Sequence, residues 1–159
     1  MRSQRKGYKM HSSIDVANYF LKRVQEDKRD LTPLQLMKLV FLSHGWMLGV
    51  YWRHFIKDPI EAWEYGPIIP NLYNKIKQFK SSPVNYPIEK ETGINFDAGE
   101  KEVLDQVYRE YGKLSGIQLS SITHVSGSPW ENTWERGGRN SVISNDLIME
   151  YYREKYRML

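Results

Sequence analysis

The chain has 159 residues, 40% of them hydrophobic, with 23 basic and 19 acidic side chains and no cysteine. That length suits one ordinary domain able to bury roughly two-thirds of its unfolded surface without staples, and the missing cysteine excludes disulfides, thiolate metal sites and thiol catalysis and fits a reducing compartment, the cytoplasm being the expected location. No apolar run reaches the length of a membrane span and the first residues lack the apolar core of a secretory signal, so a soluble protein with no membrane partner is expected.

The net charge of +4 is unevenly placed. Arg2, Arg5, Lys6 and Lys9 fall within the first eleven residues, which hold no acid, and the rest of the chain is neutral, with 19 basic against 19 acidic groups. Residues 1–12 therefore read as a basic, flexible arm and residues 13–159 as one helical domain. An arm of this kind can touch phosphates, which keeps nucleic acid open as a partner, although solvation of a chain end is its commoner role.

Ser12 or Ser13 caps a first amphipathic helix on which Ile14, Ala17, Phe20, Leu21 and Val24 recur at helical spacing. Thr32-Pro33-Leu34-Gln35 is the clearest start signal in the chain: Thr32 can cap, Pro33 suits the first helical position and Gln35 can complete a capping box. The helix that follows carries apolar residues (Leu36, Leu39, Val40, Phe41, Leu42, Trp46, Met47, Val50) around nearly its whole circumference, which predicts a central helix packed on several sides. Tyr51 to Ile56 and Ile60 to Glu64, flanking Lys57-Asp58-Pro59, predict a short β-hairpin.

Leu72, Tyr73, Ile76 and Phe79 mark a third helix, residues 81–95 read as a loop, and Asp97 with Glu100 repeats the capping box ahead of a fourth helix ending at Gly112. A fifth helix starts at Ser115 and carries Leu119, Ile122 and His124 until Gly127-Ser128-Pro129-Trp130 interrupts it with a short helical turn. After the flexible stretch Arg136-Gly137-Gly138-Arg139-Asn140, Ser144 or Asn145 caps the last helix, with Leu147, Ile148, Tyr151 and Tyr152 on one face. The fold class is mainly α: a single domain of five to six helices with one short β-hairpin.

The order of these pieces resembles a known family. The helix from Leu31-Thr32-Pro33-Leu34-Gln35-Leu36-Met37-Lys38-Leu39 into Ser43-His44-Gly45-Trp46, then Ile60-Glu61-Ala62-Trp63-Glu64-Tyr65-Gly66-Pro67, then Leu119-Ser120-Ser121-Ile122-Thr123-His124 with Ser128-Pro129-Trp130, together look like the Panacea domain, the SocA-like antitoxin family, from about Ile14 to Tyr156. The resemblance implies a mainly helical domain of bacteria, prophages and phages that binds and neutralises a cognate protein toxin encoded beside it. In the SocA type it also implies an adaptor that presents the toxin to a Clp-type protease. DNA-binding autoregulation, or another phage-encoded regulatory role, is the alternative function, and a phage-encoded enzyme ranks last.

The residues themselves favour contact over chemistry. Trp63, Tyr65 and Trp130 are large, rigid aromatics of the type that anchors interfaces, though such residues are more often core supports. Gly66 and Pro67 read as a fixed backbone turn, and His124 as a helix-end hydrogen-bonding residue that steadies the Pro129-Trp130 turn. These seven positions, Trp63, Tyr65, Gly66, Pro67, His124, Pro129 and Trp130, are the candidate partner-binding residues.

No catalytic site is expected. His124 with Ser126 and Ser128 lacks the strand-turn-helix context of a nucleophile elbow, Glu61 and Glu64 would point to opposite faces of a strand, and His44 reads as a satisfied core residue. His11, His44, His54 and His124 show no metal-ligand spacing, and no Gly-rich phosphate loop follows a strand, so neither metal nor cofactor is expected. Homo-oligomerisation stays open, since an aromatic patch serves self-association as readily as a foreign partner.

Overall fold

The computed structural model describes residues 8–89, 93 and 95–159. Its organising element is α2 (Pro33–Tyr51), and the sequence at its start explains why it begins there. Thr32 Oγ1 accepts from the Gln35 amide at 3.3 Å while the Gln35 side chain accepts from the Thr32 amide at 2.9 Å, and Pro33 stands where a missing N–H is no loss. Fourteen of its nineteen residues are buried; Leu34, Gln35, Trp46 and Val50 are half-buried and Tyr51 is exposed at its end. The elements around it are α1 (Ser13–Glu26), α4 (Ala98–Tyr111), α5 (Gly116–Thr123) and α7 (Asn145–Arg157). Asp97 with Glu100 and Ser115 with Gln118 form capping boxes on α4 and α5, and Ser144 caps α7.

Where α7 crosses α2, the close approach rests on two glycines. A Cβ on Gly45 would lie 2.6 Å from the Tyr152 ring, and one on Gly49 would lie 2.6 Å from the Tyr152 carbonyl carbon and 2.8 Å from the Arg153 nitrogen. The glycines thus set the spacing of the two helices, and the Tyr152 ring fills the seam between Phe41 and Trp46.

The expected hairpin exists but further along the chain. Helix α2 continues through Tyr51 and ends on Trp52 in the left-handed conformation, φ 59°, so Tyr51 to Ile56 is not a strand. The strands are β1 (Glu61–Trp63) and β2 (Gly66–Ile68), with Glu64 and Tyr65 as the turn between them. Apolar residues up to Val50 carry the helix on to Tyr51, the residue at which aromatic and β-branched composition suggests a strand begins, and a reversed φ at Trp52 ends it. A third strand, β3 (Ser141–Val142), pairs antiparallel with β1 and gives the order β2-β1-β3; it falls just past a stretch expected to be flexible. The segment at Pro129, expected as a short turn, is the nine-residue helix α6 (Pro129–Gly137). With α3 (Pro70–Ile76), which runs on into a 3₁₀ turn at Lys77–Phe79, there are seven α-helices among the described residues, and the fold is mainly α in one domain.

Two polar networks tie the segment after α2 into place. His44, buried on α2, accepts from the Ile56 amide through Nδ1 at 3.1 Å, so its Nε2 carries the proton donated to Asn145 Oδ1 at 2.8 Å; Asn145 Nδ2 in turn donates to His54 at 3.2 Å. This is the satisfied core histidine expected from sequence, and burial pulls its pKa down to about 4. In the second network Glu100 receives both His11 Nε2 at 2.8 Å and Arg53 at 3.1 Å. His11 pairs with Ile56 in a parallel bridge through its amide to Phe55 and its carbonyl to Lys57, so it is docked and buried although the sequence reading leaves it in the arm. Lys9 lies just before this docked point, exposed; Arg2, Arg5 and Lys6 lie outside the described residues.

Two outcomes follow from these contacts. Gly49→Ala is expected to destabilise the protein by about 2–3 kcal/mol, because overpacking against backbone outweighs the gain of about 1 kcal/mol in helix propensity; urea unfolding checks it, and a stabilised variant would contradict the close approach. For His44 the unfolded state takes up its proton near pH 6.5 and the folded state only near 4, so its contribution is present above pH 6.5 and lost as the pH falls toward 4. The loss is at most about 3 kcal/mol, and it is read as the part of the acid destabilisation between pH 6.5 and 4 that disappears in His44→Gln.

Candidate functional site

The seven candidate positions converge at one end of the molecule. The hairpin brings Trp63, Tyr65, Gly66 and Pro67 to the end of the sheet, and the chain between α5 and α6 brings His124, Pro129 and Trp130 against them. The joint is a hydrogen bond from Trp130 Nε1 to the Trp63 carbonyl at 2.6 Å. Trp130 also stacks on Trp134, centroids 5.3 Å apart and 20° between planes, and meets the His124 ring edge-on at 5.3 Å. Trp63 donates through Nε1 to Glu61 at 2.9 Å and packs edge-on against Tyr73 at 5.0 Å.

Local sequence explains this placement. Ser128 caps α6 by accepting from the Glu131 amide at 3.2 Å, Pro129 opens the helix, and the Glu131 side chain reaches back to the Gly127 amide at 2.8 Å. Trp130 is thereby fixed on the first turn, facing the sheet. His124 ends α5 with its Nδ1–H bonded to the Ser120 carbonyl, which commits the imidazole to the helix end. Glu61 lies in β1, whereas Glu64 lies in the turn and pairs with Arg139 at 3.6 Å on the surface, so the two carboxylates have separate partners.

Burial divides the seven. Gly66, Pro67 and Pro129 are buried, and Trp63, Trp130 and His124 are half-buried. Tyr65 stands 71% exposed at the apex. Gly66 has φ +118°, a conformation that L side chains rarely adopt, and this swings the Tyr65 side chain outward while the backbone turns back into β2. Pro67 lies on an edge strand, where its missing N–H breaks no ladder bond.

The residue that sequence reasoning missed lies beneath this turn. Lys38 on α2 is 0% exposed, and its Nζ donates to the Pro67 carbonyl at 3.0 Å and to the Tyr65 carbonyl at 3.4 Å. Burial alone pulls its pKa down to about 7. A Cβ on Gly66 would lie 2.7 Å from that nitrogen and 3.5 Å from Thr123 Oγ1, so the glycine also leaves room for the amine. A signal was present in the sequence: one lysine in mid-helix, between Met37 and Leu39, on a helix apolar nearly all round has no obvious route to water.

An apolar groove of about 650 Å³ between α2, α4 and α7 is lined by Trp46, Val50, Val107 and Tyr156 and includes none of the seven candidates. Among the described residues no cluster of three or more His, Asp or Glu side chains could hold a metal ion, and no helix is long and apolar enough to cross a membrane.

Comparison with known proteins agrees with the order of these motifs. The family described as "Antitoxin SocA-like, Panacea domain" matches residues 36–131, a stretch that holds α2 from Leu36 onward, the hairpin and all seven candidates. The chain is 26% identical over 153 residues to "Antitoxin SocA" of Caulobacter vibrioides (strain NA1000 / CB15N), covering 89% of this chain and 80% of that protein. No solved structure matches it. With the family matched over more than half its length, the chain belongs to the Antitoxin SocA-like, Panacea domain family.

Proposed function

We propose that this protein is an antitoxin that neutralises the product of an adjacent gene by stoichiometric binding, with the apex of the β1–β2 hairpin as its principal contact. The observation that carries the reading is the display of Tyr65, a large side chain 71% exposed on a turn whose neighbours are buried or half-buried and bonded. A tyrosine held this way loses little freedom on binding and offers a wide apolar surface with a polar tip. Around it, half-buried Trp63, Trp130 and Trp134 form an aromatic centre, with Glu64 and Arg139 as an exposed polar rim, the division typical of interfaces. Family membership supports a protein toxin as the partner. Binding precedes either outcome, occlusion of the toxin's working surface or its delivery to a Clp-type protease, and neither requires turnover.

Inducible expression of the neighbouring open reading frame in bacteria, with and without this protein, tests the reading. Growth arrest by the neighbour alone, and recovery with a co-purified complex, are expected; a harmless neighbour that fails to co-purify would overturn it. Toxin abundance, followed in the same cells with and without the Clp protease, separates occlusion from delivery. Tyr65→Ala is expected to weaken capture by about 30-fold, near the 2 kcal/mol of a hot-spot residue, while leaving the unfolding midpoint unchanged because Tyr65 is exposed. Trp130→Ala is expected to weaken capture and also lower stability, through loss of its bond to the Trp63 carbonyl.

A further inference from the structure

Among the described residues no strand lies beside the outer edge of β2. The sheet order β2-β1-β3 leaves β2 at the margin, and the carbonyls of Tyr65 and Pro67, two residues apart, face the same side, as does the amide of Ile69. Pro67 presents no N–H there. What remains is two acceptors and one donor, and α2 meets all three from consecutive positions: Lys38 Nζ donates to both carbonyls, and Met37 Sδ accepts from the Ile69 amide at 3.3 Å. Two helix side chains thus stand in for the missing strand.

We propose that Lys38 is the positioning residue of the toxin-binding face, holding the two carbonyls that flank Gly66 so that Tyr65 is presented in one fixed orientation. This assignment rests on the reading that the hairpin apex binds the partner. The amine is fully buried, and among the described residues it has no ion-pair partner; its hydrogen bonds are those to the turn. A methionine, as at the adjacent Met37, would fill the same volume without desolvating an amine, so packing alone does not account for a lysine here. Beyond the Trp130 bond to the Trp63 carbonyl on the β1 side and the surface pair of Glu64 with Arg139, it is the lysine that holds the β2 side of the turn. Tyr65 and Glu64 are exposed, β1 and β2 are three residues each, and Gly66 has the conformational freedom to leave φ +118° once its neighbouring carbonyls are released.

The test compares wild type, Lys38→Met and Tyr65→Ala in the full chain, by amide hydrogen exchange and by affinity for the co-expressed neighbouring gene product. Lys38→Met is expected to speed exchange across residues 63–68 by at least about tenfold while amides of α2 and α7 keep their protection, and to weaken capture by at least about tenfold although the partner is untouched. Lys38→Gln, whose amide ends one bond short of the carbonyls, carries the same expectation should Lys38→Met not fold. Lys38→Arg, which restores donors, is expected to recover part of the protection. If Tyr65→Ala weakens capture but loss of the amine neither loosens residues 63–68 nor weakens it, the positioning role is overturned. If Tyr65→Ala has no effect on capture while the exchange result holds, the binding reading fails and the pinning of the turn stands.

Discussion

The structure depends on one constraint: a helix buried along most of its length has few places to put a polar group. Helix α2 meets α1, α4, α5, α7 and the sheet, so each polar side chain on its buried length must find its partner inside the protein. Ser43 returns its hydroxyl to the Leu39 carbonyl one turn back. His44 reaches out both ways, to the Ile56 amide and to Asn145 at the head of α7. Lys38 reaches the hairpin. Ser43 is thus satisfied within α2, whereas His44 and Lys38 are joints that fix different neighbours, while the apolar residues supply the undirected part of the packing.

Much of this was legible in the sequence, and the parts that were share a physical character. Caps are local: Thr32 with Gln35, Asp97 with Glu100, Ser115 and Ser144 specify helix starts within four residues, and the helices begin where those signals stand. The all-round apolar pattern of α2 likewise gave its central position. What could not be read was settled by distant partners. The first strand of the hairpin was expected at Tyr51 to Ile56, ten residues before β1, because that stretch has strand composition; the second, Ile60 to Glu64, coincides with β1 itself, and Trp52 ends the helix with a positive φ that composition does not encode. Strand β3 has two residues and exists because Ala62 and Ile60 offer carbonyls to Asn140 and Ile143, far along the chain.

The candidate face shows the same division. Trp63, Tyr65 and Trp130 stood out as aromatics beside Gly and Pro, and the structure gathers them because Ser128 caps α6 in the orientation that aims Trp130 at the Trp63 carbonyl. Lys38 did not stand out, since a lysine within a helix ordinarily means a solvated face. Only the contrast between its charge and the apolar helix around it pointed inward. Recognition of the family supplied the class of partner, and the geometry adds how one aromatic side chain comes to be held out from a frame of buried glycine, proline and lysine.

The crossing of α2 and α7 has a consequence for how the protein is made. His44 and Asn145 are 101 residues apart in sequence, and Gly45 and Gly49 of α2 are covered by Tyr152 and Arg153. At typical translation rates α2 would leave the ribosome some 5–20 s before the helix that closes over it, so its most apolar side is open to chaperones and proteases for that interval. A chain interrupted before Asn145 would lack both the cover of that side and the partner of His44. Surveillance during synthesis would thus act on copies in which α2 is still uncovered.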